Sequence, residues 1–209
     1  MNLTKYRDRL IHYISPASRA IARLGITPNQ ITLASLALGA AAGALYGYRL
    51  AYPAAAALLL SALLDFVDGG VARINQQSSR FGAAIDWVAD KYVDCFVLLG
   101  IGLGGLVDMR LAAIAVFGSM INTFIKPVVY AEIGFEKKED GKIKDPLEGV
   151  GIFGRPETII VVIAASCLSG FSLYGYGALT IGLAVVALGT HLSALQRIIY
   201  LYRNREKFL

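Results

Sequence analysis

The chain has 209 residues, 56% of them hydrophobic, a formal net charge of +5 and a mean hydropathy of +0.58. Apolar runs on this scale exceed what a water-soluble domain needs, and the length suits about six membrane helices of ~20 residues with short loops. No separate soluble domain fits, and the basic balance is better assigned to a membrane surface than to nucleic acid.

Residues 4–24 place Leu10, Ile11, Ile14, Ala17, Ile21 and Leu24 near one face and most arginines elsewhere. That is a basic amphipathic helix lying on an anionic membrane surface, bent at Pro16, with His12 as a surface histidine. The first thirty residues carry Lys5, Arg7, Arg9, Arg19 and Arg23 and lack a continuous apolar core, so no cleavable signal peptide is expected. The chain thus divides into a juxtamembrane segment, 1–25, and a single six-helix transmembrane domain, 26–209, in an all-α polytopic fold. Gly25 can end the first helix, Thr27 can cap the next, and Pro28 suits its first turn.

A first span is predicted over 31–48, where Gly39 and Gly43 permit close helix approach. The second covers 52–74 and the third runs from 81 to 106, joined by a short polar turn. Further spans follow over 111–129, 158–173 and 176–200. Cys95 and Cys167 lie in apolar runs outside any metal or redox motif and are expected to be buried thiols. The mixed-charge loop over 130–155 is expected to form a partly ordered cap. Lysine and arginine sort to the N-terminal segment, the turn between the second and third spans, the 130–155 loop and the C-terminus. Only Arg49 and Arg110 lie on the other side. The positive-inside rule then sets both termini on the cytoplasmic face of the cell membrane.

Four carboxylates interrupt this apolar plan. Asp65 and Asp68 are three apart near the end of the second span, and Asp86 and Asp90 are four apart near the start of the third. On helices each pair shares one face, and both pairs flank the same turn, so they meet at one membrane depth on the cytoplasmic side. A charged side chain in hydrocarbon costs at least ~2.5–3.5 kcal/mol, and four crowded carboxylates also repel. A hard divalent cation such as Mg²⁺, Mn²⁺ or Ca²⁺ relieves both penalties. Helix caps and solvated turn residues would explain one or two such acids, not all four. Gly69, Gly70 and Gly82 would let a bulky nucleotide approach the backbone, or would permit tight helix packing. Arg73 can offer a planar fork to phosphate, or can anchor at the interface, as Arg80 can.

The full pattern, D-x2-D-G-x2-A-R-x8-G-x3-D-x3-D from Asp65 to Asp90, resembles the signature of the CDP-alcohol phosphotransferases at all of its defining positions. The resemblance is close over about 27–94 and extends to the six-span plan. It implies transfer of a substituted phosphate from a CDP-alcohol, CDP-diacylglycerol or CDP-archaeol, to an acceptor hydroxyl, with release of CMP. It assigns the metal, Mg²⁺ or Mn²⁺ as a pair of ions, to Asp65, Asp68 and Asp86, with Asp90 completing the site and acting as general base. Gly69, Ala72, Arg73 and Gly82 would line the CDP pocket. Thr123 and Lys126 on the fourth span, with Arg155 opening the fifth, look like the phosphate pocket of inositol-phosphate-using members. Interface anchoring, or attraction to the carboxylates, would also explain the two cations. Lys91 stands where an arginine is common in the family, and Asp94 continues the acidic face towards a polyol or a lysine. Glycerol phosphate as acceptor, or CDP-inositol as donor, are the same chemistry with other substrates. Partners are a CDP-lipid, a polyol phosphate and membrane lipid, with no nucleic acid; the sequence allows a homodimer.

Two other classes use intramembrane acids. Prenyltransferases typically carry an asparagine where this chain has Leu64 and lack the Asp-Gly-x2-Ala-Arg run. Transporters often show internal repeats or interrupted helices, and no repeat is found here; a channel would carry acids through the full membrane depth, whereas these cluster at one side.

Overall fold

The computed structural model describes residues 16, 18–75, 80–133, 138–139, 142–143, 147 and 149–207. Six principal helices follow one another: α1 Pro28–Gly47, α2 Ala51–Ile74, α3 Arg80–Leu103, α4 Met109–Ile133, α5 Arg155–Cys167 and α6 Ala178–Arg203. Thr27 caps α1 as expected. Its hydroxyl accepts from the Gln30 N–H at 3.4 Å, and Gln30 Oε1 accepts from the Thr27 N–H at 2.9 Å. Of the expected surface helix, residues 4–15 and 17 lie outside the described residues, and 18–23 are helical. Of the 130–155 loop, residues 134–137, 140–141, 144–146 and 148 also lie outside them; Lys138–Glu139 pairs with Lys142–Ile143 in a hairpin.

Helix boundaries differ from expectation at three places. Pro127 sits inside α4, which continues to Ile133. The fifth helix opens earlier, at Arg155, and stops at Cys167; a turn and a hairpin, Ser172–Leu173 with Tyr176–Gly177, then lead into α6. Tyr174 and Gly175 both take positive φ there, 51° and 81°, which helical backbone excludes. Cys167 is exposed at the outer end of α5 and Cys95 is half-buried, so neither is the enclosed thiol expected.

Among the described residues, four helices are long and apolar enough to cross a membrane: Pro28–Gly47, Ala51–Ile74, Met109–Glu132 and Ala178–Arg203. The other two differ for separate reasons. Asp86, Asp90, Lys91 and Asp94 interrupt α3, and α5 has only 13 residues. Large apolar side chains such as Leu33, Phe117, Phe124 and Leu188 point outward, while Ser35, Ser61, Thr190 and Arg197 are buried. That inversion suits a lipid surroundings with hydrogen bonds kept inside.

The helices close into a ring. α1 packs on α2 and α3, α3 on α4, α4 on α6, α6 on α5, and α5 returns to α2. One apolar cluster draws on all six, from Tyr46 and Leu58 through Val97, Ile101 and Ala112 to Val162 and Leu183. Tyr46 reaches across it to Ser166 Oγ at 2.7 Å. Ser35 and Ser61 clasp α1 to α2 by donating to each other's carbonyl, each at 2.8 Å.

The contact of α1 with α3 is backbone against backbone. A methyl carbon added at Gly100 would lie 2.1 Å from the Gly43 carbonyl oxygen, and one at Gly39 would lie 2.4 Å from Val93. Among the described residues α2 and α3 pack on each other at most marginally, while α1 packs closely on both and holds them either side of a gap. Gly100→Val should therefore cost about 1–3 kcal/mol or more by overpacking. A clear fall in melting temperature in detergent is expected, with Gly47→Ala, which meets nothing within 4 Å, close to wild type.

Candidate active site

The gap between α2 and α3 gathers the acids. Oxygens of Asp65, Asp68 and Asp86 all lie within 4.8 Å of one another, with Asp68 buried and the other two half-buried. Asp65 and Asp68 share the inner face of α2 one turn apart, and Asp86 comes from the first turns of α3. Three carboxylates so close are a hard-oxygen donor set, and they can hold a divalent cation. Thr32 on α1 supports Asp68: its hydroxyl lies 2.8 Å from Asp68 Oδ2 and 3.1 Å from the Pro28 carbonyl. One proton serves both acceptors.

Asp90, one turn further along α3, is engaged by a cation instead. Arg155 at the start of α5 sets Nη1 2.8 Å from Asp90 Oδ1 and 2.7 Å from Asp65 Oδ2. Its Nε lies 3.6 Å from Asp94 Oδ1. Of the cations expected to grip a phosphate, Arg155 is thus seated among the carboxylates themselves. Asp94 turns to the lysine: Lys91 Nζ is 2.5 Å from Asp94 Oδ2, and Ser119 on α4 donates to the same oxygen at 3.1 Å.

Other sequence-predicted residues fall around this centre. A side chain at Gly69 would meet only Arg73 Nη1, 3.7 Å away, so that face of α2 is open. Gly70 is different: a methyl carbon there would lie 2.2 Å from Ser18 Oγ, so it serves packing of the 18–23 helix. Arg73 is exposed, Ala72 and Gly82 are half-buried. Thr123 and Lys126 are half-buried on α4. One turn before Lys126, Asn122 Nδ2 donates to the Phe153 carbonyl at 3.0 Å, which ties α4 to the segment leading into Arg155.

Sequence reasoning missed Arg197. It is buried on α6, donates to the Val150 carbonyl at 3.1 Å and to Asn122 Oδ1 at 2.6 Å, and also reaches the Asn122 carbonyl. A lone arginine in the apolar run of the sixth span was the available signal. Arg197, Asn122 and Ser193, whose hydroxyl accepts from the Ile152 and Phe153 N–H groups at 3.1 and 2.7 Å, fix the chain just ahead of Arg155.

Residues 25–192 match the model of the CDP-alcohol phosphatidyltransferase family. The chain belongs to that family. Among curated relatives, the archaetidylinositol phosphate synthase of Pyrococcus horikoshii is 30% identical over 198 residues, 94% of each chain. That of Methanothermobacter thermautotrophicus is 26% identical, covering 97% of this chain and 95% of the relative. The solved phosphatidylinositol phosphate synthase of Mycobacterium tuberculosis, in complex with manganese and citrate, shares the fold with a TM-score of 0.72. Its identity is 23%, over 90% of this chain and 88% of that one. The protein is accordingly a divalent-metal-dependent CDP-alcohol phosphotransferase of membranes, with its cluster of aspartates between α2 and α3.

The Thr32 contact yields a test. Partners that orient metal-binding carboxylates typically contribute about 10–100-fold in affinity. Thr32→Val should weaken Mn²⁺ binding about 10-fold by isothermal titration, whereas Thr32→Ser should restore it.

Proposed function

We propose that this phosphotransferase moves the lipid-bearing phosphate of a CDP-lipid to a hydroxyl of inositol phosphate and releases CMP. The observation that carries the reading is the convergence of Asp65, Asp68 and Asp86 across the gap, with Asp90 one turn away and held by Arg155. The curated relatives are named for archaetidylinositol phosphate and phosphatidylinositol phosphate synthesis, which supports the acceptor. A solved neighbour is described with CDP-DAG bound, which supports the donor.

Asp65, Asp68 and Asp86 hold the metal, and Asp90 completes a site for two ions, Mg²⁺ or Mn²⁺. Bound there, such ions neutralise the diphosphate and make its phosphorus more electrophilic. Gly69, Ala72, Arg73 and Gly82 line the nucleotide side, where the open face at Gly69 leaves room beside Arg73. Asp90 takes the proton of the acceptor hydroxyl as the new oxygen–phosphorus bond forms and the bond to CMP breaks. Thr123, Lys126 and Arg155 hold the acceptor phosphate. The whole of 26–209 acts as one catalytic domain of six spans, with α3 crossing despite its acids and α5 together with its hairpin. Both termini and the site face the cytoplasm, as the lysine and arginine distribution supports.

The test is CMP release by purified protein given a CDP-lipid and a panel of acceptors. Inositol phosphate should be used well and free inositol or glycerol poorly, and a chelator should abolish release until Mg²⁺ or Mn²⁺ is returned. Lys126→Ala should raise the acceptor KM. Asp90→Asn should lower kcat ~10²–10⁴-fold with CDP-lipid affinity little changed. Equal use of an uncharged alcohol, with Lys126→Ala unimpaired, would overturn the acceptor assignment and leave the phosphotransfer intact.

A further inference from the structure

Five carboxylates, Asp65, Asp68, Asp86, Asp90 and Asp94, border one gap, and Lys91 and Arg155 are set among them. Lys91 is committed to Asp94, at 2.5 Å, with Ser119 Oγ 3.4 Å away. Arg155 is divided. Its Nη1 serves both Asp65 and Asp90, at 2.7 and 2.8 Å, while its Nε is buried without a hydrogen bond, 3.6 Å from Asp94 Oδ1.

Asp94 is a ready receptor for that nitrogen. Its side chain is only 2% exposed, and Lys91 and Ser119 fix its Oδ2 while Oδ1 faces Arg155. Closing 3.6 Å to the usual ~2.9 Å of a hydrogen bond needs a small swing of the guanidinium. What holds Arg155 back is its grip on Asp65 and Asp90, two carboxylates that the proposed function gives to the metal.

We propose that Arg155 and the divalent cation compete for Asp65 and Asp90, and that Asp94 is the positioning residue that receives Arg155 when the cation takes them. This rests on the metal assignment above. A dication on the same oxygens repels a guanidinium hydrogen-bonded to them, and the nearest acid able to accept it is Asp94. Anchored there through Nε, Arg155 turns its two terminal nitrogens to the gap, free to hold the acceptor's phosphate. Without the cation the arginine caps the acids and is withheld from the acceptor. Metal loading therefore precedes capture of the acceptor, and Asp94, outside the eight-position signature, sets the balance.

The test is Mn²⁺ affinity of the full chain in detergent, read without turnover from the electron paramagnetic resonance signal of free Mn²⁺. R155Q should bind about 10-fold tighter than wild type, since a neutral amide no longer competes. R155M is the second neutral variant should R155Q not fold, and R155K, which keeps the charge, should stay near wild type. D94N should bind about 10-fold more weakly, because Arg155 then has no second seat. That loss should vanish in the R155Q/D94N double variant. An Asp94 with only a structural role would weaken binding equally in both backgrounds, and that outcome overturns the proposal. So does neutral-variant affinity no tighter than wild type. D65N and D68N separate the two ways of failing. If they lose Mn²⁺ while R155Q is unchanged, the metal assignment stands and the competition falls. If they bind Mn²⁺ as wild type does, the metal assignment itself has failed.

Discussion

The fold depends on one electrostatic constraint: several carboxylates must share a low-dielectric gap inside a bundle whose outer face is apolar. Like charges repel strongly there, so the arrangement persists only with cations placed among the acids. Every polar feature nearby serves that need. Arg155 bridges Asp65 and Asp90, Lys91 lies against Asp94, and Thr32 and Ser119 donate to Asp68 and Asp94. Asp65, Asp68 and Asp86 are close enough to hold a divalent ion, which would complete the same logic.

Packing creates the gap that electrostatics fills. Gly43 and Gly100 let α1 and α3 meet backbone to backbone, Gly39 makes room for the Val93 side chain, and Ser35 and Ser61 clasp α1 to α2. With α1 bound to both, the acid-bearing ends of α2 and α3 face each other with little direct packing between them. The apolar cluster formed by all six helices closes the remainder of the ring, so the acids occupy one end only. A smaller cluster of Ile31, Val67 and Val71, covered by Ile21 and Ala22, braces α2 beside Asp68.

Much of this was legible in the sequence because it is local. Helical spacing alone puts Asp65 with Asp68 and Asp86 with Asp90, and the short turn between them fixes their common depth. Gly39 and Gly43 announced a close helix approach, and Thr27-Pro28 announced a cap. What the sequence did not reveal is non-local. Arg155 reaches Asp65 across 90 residues, and Arg197 reaches Asn122 across 75, separations that no helical period encodes. Gly70 looks like Gly69 in sequence, yet Ser18 covers one and leaves the other open. The glycine-rich connection ahead of α6 is visible in the sequence as a short break, but not its pairing as a hairpin, because strands of two residues carry no alternating pattern.

The most direct test of the account is the anomalous difference map of crystals grown with Mn²⁺. The account predicts a peak between the Asp65, Asp68 and Asp86 carboxylates, with Thr32 still on Asp68. Ordered Mn²⁺ elsewhere, with those three carboxylates empty, would contradict it.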